Sequence, residues 1–276
     1  MQTAETTETP GAPDTPHYVS TRARVPGSGE EASALELELA AAGVRVHPFA
    51  LIHVLPAADP QAAQRAVDAL EDFQLAVPVS PSAVRALLGL RSAAWPPACA
   101  VGLIGRASRE TFETALCERG EDLQRLRVLC AQQAGADSEA LWQELQALRA
   151  NWQGVRVLIL RGDGGRDWLA ATLRAAGAEV LVVELYRRAA PEADAASLNR
   201  LRELLGLRAA WQIAAAASLD NLCALLRAAG LDPRRELAAQ RALVHHPRVA
   251  EAARRAGFGR VEVVPFRAGA LLRALR

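Results

Sequence analysis

VRVLILRGDGGRDWLAATLRAAGAEVLVVELYRRAAP, residues Val155–Pro191, reads as a strand, a glycine turn, a helix, a second strand and a basic aromatic patch. Val155–Leu160 is a short apolar run with β-branched residues, the composition of a strand buried on both faces. Arg161, Gly162, Asp163, Gly164 and Gly165 follow it directly. Trp168, Leu169, Thr172 and Leu173 recur at helical spacing, and Gly177 stands where a glycine ends a helix. Val180–Leu185 is the next strand. The stretch therefore predicts a βαβ unit with its glycine turn at the carboxyl end of a parallel strand, the place where open sheets bind ligands. Tyr186, Arg187 and Arg188 close the second strand, a second position from which side chains reach a ligand. GDGG is not GxGxxG, no Lys-Ser/Thr pair follows it, and Asp163 would repel phosphate. A tight turn explains these glycines better than a nucleotide site.

The same alternation extends in both directions. Upstream, strands are expected at Tyr18–Arg22, within Val44–Val54, at Leu75–Val79, Cys99–Ile104 and Arg127–Cys130. Helices are expected at Glu30–Ala42, Gln61–Phe73, from Ser80-Pro81-Ser82 through Leu88, at Ser108–Arg119 with Ser108 placed to cap it, and at Ser138–Leu148, which lacks a full capping box. Pro78 argues against an unbroken central ladder in its strand. Downstream, the expected order is a helix at Leu198–Leu205, a weak strand at Trp211–Ala216, a helix at Leu219–Ala228, a strand at Ala242–His245, a helix at Val249–Ala256 and a last strand at Val261–Val264. Strands alternating with helices predict an α/β protein with parallel sheets. About ten strands over this length suggest two sheets rather than one.

With 276 residues, the chain is long enough for two cores. A net charge of +1 points to neither nucleic acid nor a membrane surface. All the positive charge is Arg, because the sequence contains no Lys. A bidentate carboxylate partner suits that choice, but a GC-rich genome explains it as well. Cys99, Cys117, Cys130 and Cys223 match no zinc or redox spacing, so reduced thiols in a cytoplasmic protein are expected. No secretory signal or bilayer-length apolar run is read, and Met1–Pro16 has the composition of a disordered tail.

Polar turns recur after the strands: Thr21-Arg22, Ser80-Pro81-Ser82, Arg106-Ala107-Ser108, Arg161 to Arg166, and His246-Pro247-Arg248. Singly, each reads as a helix cap. Together, with free amides at several helix N-termini, they suit a polyanion. His245 and His246 have no carboxylate at metal-ligand spacing, and no cofactor motif is present.

In their order, these motifs resemble the uroporphyrinogen-III synthase family from about Tyr18 onward. The resemblance is carried by Thr21-Arg22, SPSAV at Ser80–Val84, IGRAS at Ile104–Ser108, DSEAL at Asp137–Leu141, LILRGDGGRDWL with GAEV and YRRAAP, and HPRVAEAARRAGF at His246–Phe258. It implies two α/β domains of Rossmann or flavodoxin-like type, residues 17–49 with 188–276 and residues 50–187, joined by a two-stranded crossover with the site in the interdomain cleft. It further implies hydroxymethylbilane as substrate, a linear tetrapyrrole with eight carboxylates. That substrate would be closed to uroporphyrinogen III with loss of water, an azafulvene, and inversion of ring D through a proposed spiro intermediate. No cofactor is implied. Tyr186 becomes the proton donor, facing the cleft. Thr21, Arg22, Ser80, Ser82, Ser108, Arg161, Gly162, Gly165, Ser218, Pro247 and Arg248 become the substrate-binding set. A transient handover from the preceding pathway enzyme is the expected partner contact.

Two departures from the family pattern stand out. Ala214 to Ala217 occupy the place of a TSSE-like turn, leaving Ser218 as the nearest hydroxyl, and Pro78-Val79 precede the SPSAV segment where an aromatic and a Thr are usual. Both remove donors. They leave open a second reading, a tetrapyrrole-binding or scaffold relative that keeps the fold without turnover. A third reading, a sugar- or nucleotide-binding module, rests on fold analogy alone.

Overall fold

Alternating apolar runs and amphipathic stretches fold as strands and helices in a computed structural model that describes residues 15–24, 32–131, 137–165 and 167–276. The expected tail as far as Asp14, the expected helix start at Glu30 and Glu31, and Arg166 lie outside the described residues. In chain order the elements begin with β1 (His17–Ser20), α1 (Ala34–Ala41), β2 (Arg45–Pro48), β3 (His53–Pro56), α2 (Pro60–Asp68), β4 (Leu75–Pro78) and α3 (Pro81–Leu90). They continue with β5 (Ala100–Ile104), α4 (Arg106–Glu118), β6 (Val128–Ala131), α5 (Ser138–Leu148), β7 (Arg156–Gly162), α6 (Trp168–Ala175) and β8 (Glu179–Ala189). The last part contains α7 (Ala195–Gly206), β9 (Ala210–Ile213), α8 (Ala216–Ala228), α9 (Pro233–Ala238), β10 (Arg241–Val244), α10 (Pro247–Ala256), β11 (Arg260–Val263) and α11 (Ala268–Leu275).

Two sheets form. One has the order β11-β10-β9-β1-β2 and the other β3-β8-β7-β4-β5-β6. The pairings β1–β2, β1–β9, β9–β10 and β10–β11 are parallel, as are β4–β5, β4–β7, β5–β6 and β7–β8. The described residues divide into two compact units: one within Met1–His53 with Ala189–Arg276, the other Val54–Arg188. Successive residues of one strand feed separate cores. On β7, Leu158 and Leu160 join Leu87, Leu103 and Phe112, while Val157 and Ile159 join Leu141, Leu145 and Leu173. On β1, Val19 packs with Trp211, and Tyr18 with Leu39 and Leu271. Both faces of each sheet are thus covered, as parallel sheets require.

Several local expectations change. Val44–Val54 holds two strands, β2 and β3, and they belong to different sheets. Pro78 does end a ladder: β4 pairs with β7 through Pro78, but with β5 only at Leu75 and Ala76. Ser108 does not cap its helix. The helix starts earlier, from Gly105 at φ 76°, and the buried Ser108 hydroxyl donates back to the Ile104 carbonyl at 3.0 Å. Asp137, just before the expected start, caps α5 by accepting the N–H groups of Glu139 and Ala140 at 3.1 Å each. α9 and α11 are additional to the elements expected from sequence. Asp232-Pro233 is the local signal for α9, with Asp232 accepting the Arg235 N–H at 2.8 Å.

Candidate functional site

In the unit Val54–Arg188 the site residues gather at the carboxyl ends of β4, β7 and β8. β7 and β8 run in register from Arg156–Glu179 to Arg161–Glu184, then slip so that Gly162 faces Tyr186. The slip is held by the Asp163 main-chain N–H and its carboxylate. The Asp163 N–H donates to the Tyr186 carbonyl at 3.0 Å, and the Asp163 carboxylate accepts the Arg188 N–H at 2.8 Å. Asp163, an obstacle to phosphate by sequence, instead fixes the end of β8. Tyr186 is only 2% exposed, and its ring lies where a Gly162 side chain would be: an added Cβ would meet Tyr186 Cε2 at 2.5 Å.

Among the described residues the Tyr186 hydroxyl has two polar neighbours. Ser80 Oγ lies 3.2 Å away and Arg188 Nη2 donates to it at 3.4 Å, with the guanidinium carbon 5.9 Å from the ring centroid. Ser80 is extended at the N-cap of α3, where its oxygen accepts the Ala83 N–H at 3.1 Å. Its hydroxyl proton is therefore available to Tyr186. The arrangement holds a phenol between a hydroxyl and a cation.

The remaining expected residues of this unit divide into available and occupied groups. Ser82 is half-buried in the first turn of α3. Arg161 folds over the glycine turn and donates to the Gly165 carbonyl at 3.0 Å and the Asp167 carboxylate at 2.7 Å. Gly165 permits this, since a Cβ there would lie 2.8 Å from Arg161 Cδ. The buried hydroxyl of Ser108 is occupied by the Ile104 carbonyl.

In the other unit, a second set sits at the carboxyl ends of β1, β9 and β10. The buried Thr21 donates its hydroxyl to the Gln212 carbonyl, and Ser20 donates to Gln212 Oε1 at 3.3 Å. Arg22 and Arg24 lie 3.6 and 3.0 Å from the Glu36 carboxylate. Burial raises the Glu36 pKa, but hydrogen bonds from Ser20 and Ser33, with the Arg22 charge, more than offset this and hold it below the usual carboxylate range. Ser218 is buried in the first turn of α8, its N–H bonded to the Ala215 carbonyl. His246 caps α10, its Nδ1 accepting the Arg248 N–H at 3.1 Å, with Pro247 in the first turn and the Arg248 side chain exposed. His245 sits beside His246 and Phe266, and burial, then the His246 charge, lowers its pKa. Gln212 and Glu36 are absent from the set expected by sequence. A signal existed for Gln212, a polar residue within the buried run Trp211–Ile213 that must find partners.

Among the described residues no cluster of His, Cys, Asp and Glu could hold a metal ion. Two units, each with a sheet of parallel strand pairs and with hydroxyls, arginines and helix N-termini at its strand ends, define a class of two-unit α/β protein. The chain belongs to the uroporphyrinogen-III synthase family, since the family model described as Uroporphyrinogen-III synthase HemD matches residues 33–272. Over 61 residues it is 54% identical to the uroporphyrinogen-III synthase of Salmonella typhimurium; that match covers 21% of this chain and 23% of the relative's length. A mutant uroporphyrinogen III synthase from the extremely thermophilic bacterium Thermus thermophilus superposes with a TM-score of 0.50 at 19% identity, over 94% of this chain and 96% of that one. Uroporphyrinogen-III synthetase from Helicobacter pylori superposes with a TM-score of 0.53 at 13% identity, over 95% and 100%. At such identities the two structures speak for the fold alone.

Proposed function

We propose that this chain is a uroporphyrinogen-III synthase, converting hydroxymethylbilane to uroporphyrinogen III and water. Family membership supports the reaction, and the observation that carries the mechanism is the Tyr186 hydroxyl held by Ser80 and Arg188 at a strand end. Tyr186 gives its proton to the departing hydroxyl, which leaves as water, and the substrate becomes an electrophilic protonated azafulvene (azafulvenium). Arg188 and Ser80 stabilise the phenolate for that interval by charge and hydrogen bonding. Attack by the substituted carbon of ring D, rearrangement through the spiro intermediate and closure then release one proton, which returns to Tyr186 Oη. Protons balance with no cofactor taking part.

Strand-end groups bind the carboxylates. The side chains of Arg22, Arg248 and Ser82 are the groups offered to them. Arg161, Gly162 and Gly165 shape the glycine turn, and Thr21, Ser108 and Ser218 hold the strand ends from within. Holding a flexible chain with its ends together supplies much of the acceleration, because it replaces a loss of conformational freedom during reaction.

No helix among the described residues is long and apolar enough to cross a membrane. On this reading the enzyme works in the cytoplasm and receives its substrate by transient handover from the preceding enzyme, because spontaneous closure to the type I isomer competes with free diffusion. The test is a coupled assay with freshly generated hydroxymethylbilane that scores the isomer. Type III product establishes the activity. Type I product at the uncatalysed rate would leave the chain a non-catalytic relative.

A further inference from the structure

The unit Val54–Arg188 carries a second concave site, at the edge of its sheet opposite Tyr186. A cavity of about 390 Å³ opens at the amino-terminal ends of the strands, where Leu75 begins β4 and Arg127 immediately precedes β6. Its lining includes three exposed arginines, Arg125, Arg127 and Arg149, and no carboxylate. Among the described residues none of the three lies within 4.0 Å of an acid, although eleven arginine–carboxylate pairs form elsewhere. Three like charges around one concavity repel one another and raise the local potential, which an anion relieves.

The rest of the wall is apolar. Leu148 is a large hydrophobic side chain left 38% exposed, and Leu75 and Trp152 lie beside it. Trp152 is 4% exposed, and its indole Nε1–H is buried without a hydrogen-bond partner. An unpaired buried donor at the cavity lining is a second, independent sign of a missing polar partner. The volume falls in the range of small-molecule sites.

We infer that this cavity binds a small organic polyanion with a flat apolar body and two or three carboxylate or phosphate groups, at a site distinct from the Tyr186 cluster. Guanidiniums take the anionic groups as charge-assisted, bidentate partners, the Trp152 Nε1–H donates to one of the anionic oxygens, and Leu75, Leu148 and the Trp152 ring face take the body. The inference stands on its own geometry and does not depend on the reaction at Tyr186.

The probe is benzene-1,3,5-tricarboxylate, titrated into the full chain by calorimetry at low salt, with inorganic phosphate as a second arm. A parallel spectrum of protein carrying fluorinated tryptophan follows Trp152, whose resonance is assigned by its loss in Trp152→Phe. A saturable event that shifts the Trp152 resonance is expected. It should weaken about tenfold or more in Arg127→Gln/Arg149→Gln, the scale of one lost charge-assisted hydrogen bond or more. It should be unchanged in Arg188→Gln, at the other edge of the sheet. Phosphate should bind more weakly than the tricarboxylate, because it lacks the apolar body; equal affinity would overturn that part of the inference. Exposed single variants, Arg125→Gln and Arg149→Glu, give the same reading should the double variant misfold. Absence of saturable binding at millimolar concentrations, a static Trp152 resonance, or undiminished affinity in the arginine variants would each overturn the site.

Discussion

At the scale of single residues, Tyr186 combines two demands in one side chain. Its ring fills the space above Gly162 in the core, and its hydroxyl meets Ser80 and Arg188. Tyr186→Phe keeps the ring and removes only the donor. Turnover should fall by about tenfold to a thousandfold, the usual weight of one acid–base group, while thermal unfolding changes little. Unaltered turnover would remove Tyr186 from the mechanism. Gly162→Ala tests the other demand. The new methyl would lie 2.5 Å from Tyr186 Cε2 and 3.0 Å from its hydroxyl, so ring or strand must shift. A loss of about 1–3 kcal/mol in unfolding free energy is expected from overpacking, together with reduced turnover. Wild-type values for both would show that the slipped register leaves more room than the geometry indicates. Tyr186 and Ser80 can each be singled out from sequence because they sit at strand ends. Their contact cannot, since they are 106 residues apart and meet only when β4 and β8 flank β7.

At the scale of elements, the alanine run after β9 gains a definite meaning. Ala214 and Ala215 connect strand to helix, and Ala216 and Ala217 are already the first turn of α8. Ala215 occupies the N-cap at φ −149° and ψ 155°, an extended conformation suited to a capping hydroxyl, yet no side chain caps the helix. Ala215→Ser should therefore stabilise the fold by about 0.5–2 kcal/mol, read as a higher midpoint of thermal unfolding. If the hydroxyl also reaches substrate, the Michaelis constant falls in the same variant. A lower melting midpoint would show that the site cannot accept the cap. The neighbouring caps show how local chemistry sets such boundaries: Asp137, Asp194 and Asp232 each accept N–H groups of the helix that follows. At α5 the cap falls to Asp137 because Ser138, the hydroxyl residue that follows it, is already inside the helix.

At the scale of the whole molecule, stability should depend on pH through groups of the unit that contains β1 and β2. His47 lies on β2, with its Nε2 2.9 Å from His17 Nδ1 and its Nδ1 3.2 Å from Arg200 Nη2. Since the guanidinium can only donate, His47 must accept at Nδ1 and donate from Nε2–H to His17, which leaves the His47 ring neutral in this arrangement. Burial first, then the charges of His17, Arg200 and Arg45, lower the His47 pKa. A histidine with a depressed folded pKa binds fewer protons folded than unfolded, so stability is complete above its ordinary value, about 6.5, and declines as pH falls below it. His245, depressed in the same sense, adds to the decline, and Glu36 adds a further loss as pH falls through its lowered carboxylate value. The melting midpoint should drop on acidification from about pH 7.5 to about pH 5.5, and His47→Gln should flatten that slope. Identical slopes for variant and parent would exclude His47 as a principal cause.

The alternation of short apolar runs with amphipathic stretches was enough, by itself, to determine an α/β chain of parallel sheets. Strand and helix periodicities, glycine stops and proline starts are properties of neighbouring residues, and they are legible wherever a run is long enough. Gly177, at φ 99° after α6, and Gly257, at φ 112° after α10, end their helices as their sequence positions imply. Sheet order and register belong to the tertiary structure. Only there does Val44–Val54 divide into strands of two sheets, Thr21 find the Gln212 carbonyl across 191 residues of chain, and Ser80 reach the Tyr186 hydroxyl. Each of these choices depends on which surfaces are buried together and on which polar groups must be satisfied once water has been excluded. No local pattern encodes those conditions, because they arise only when distant segments pack.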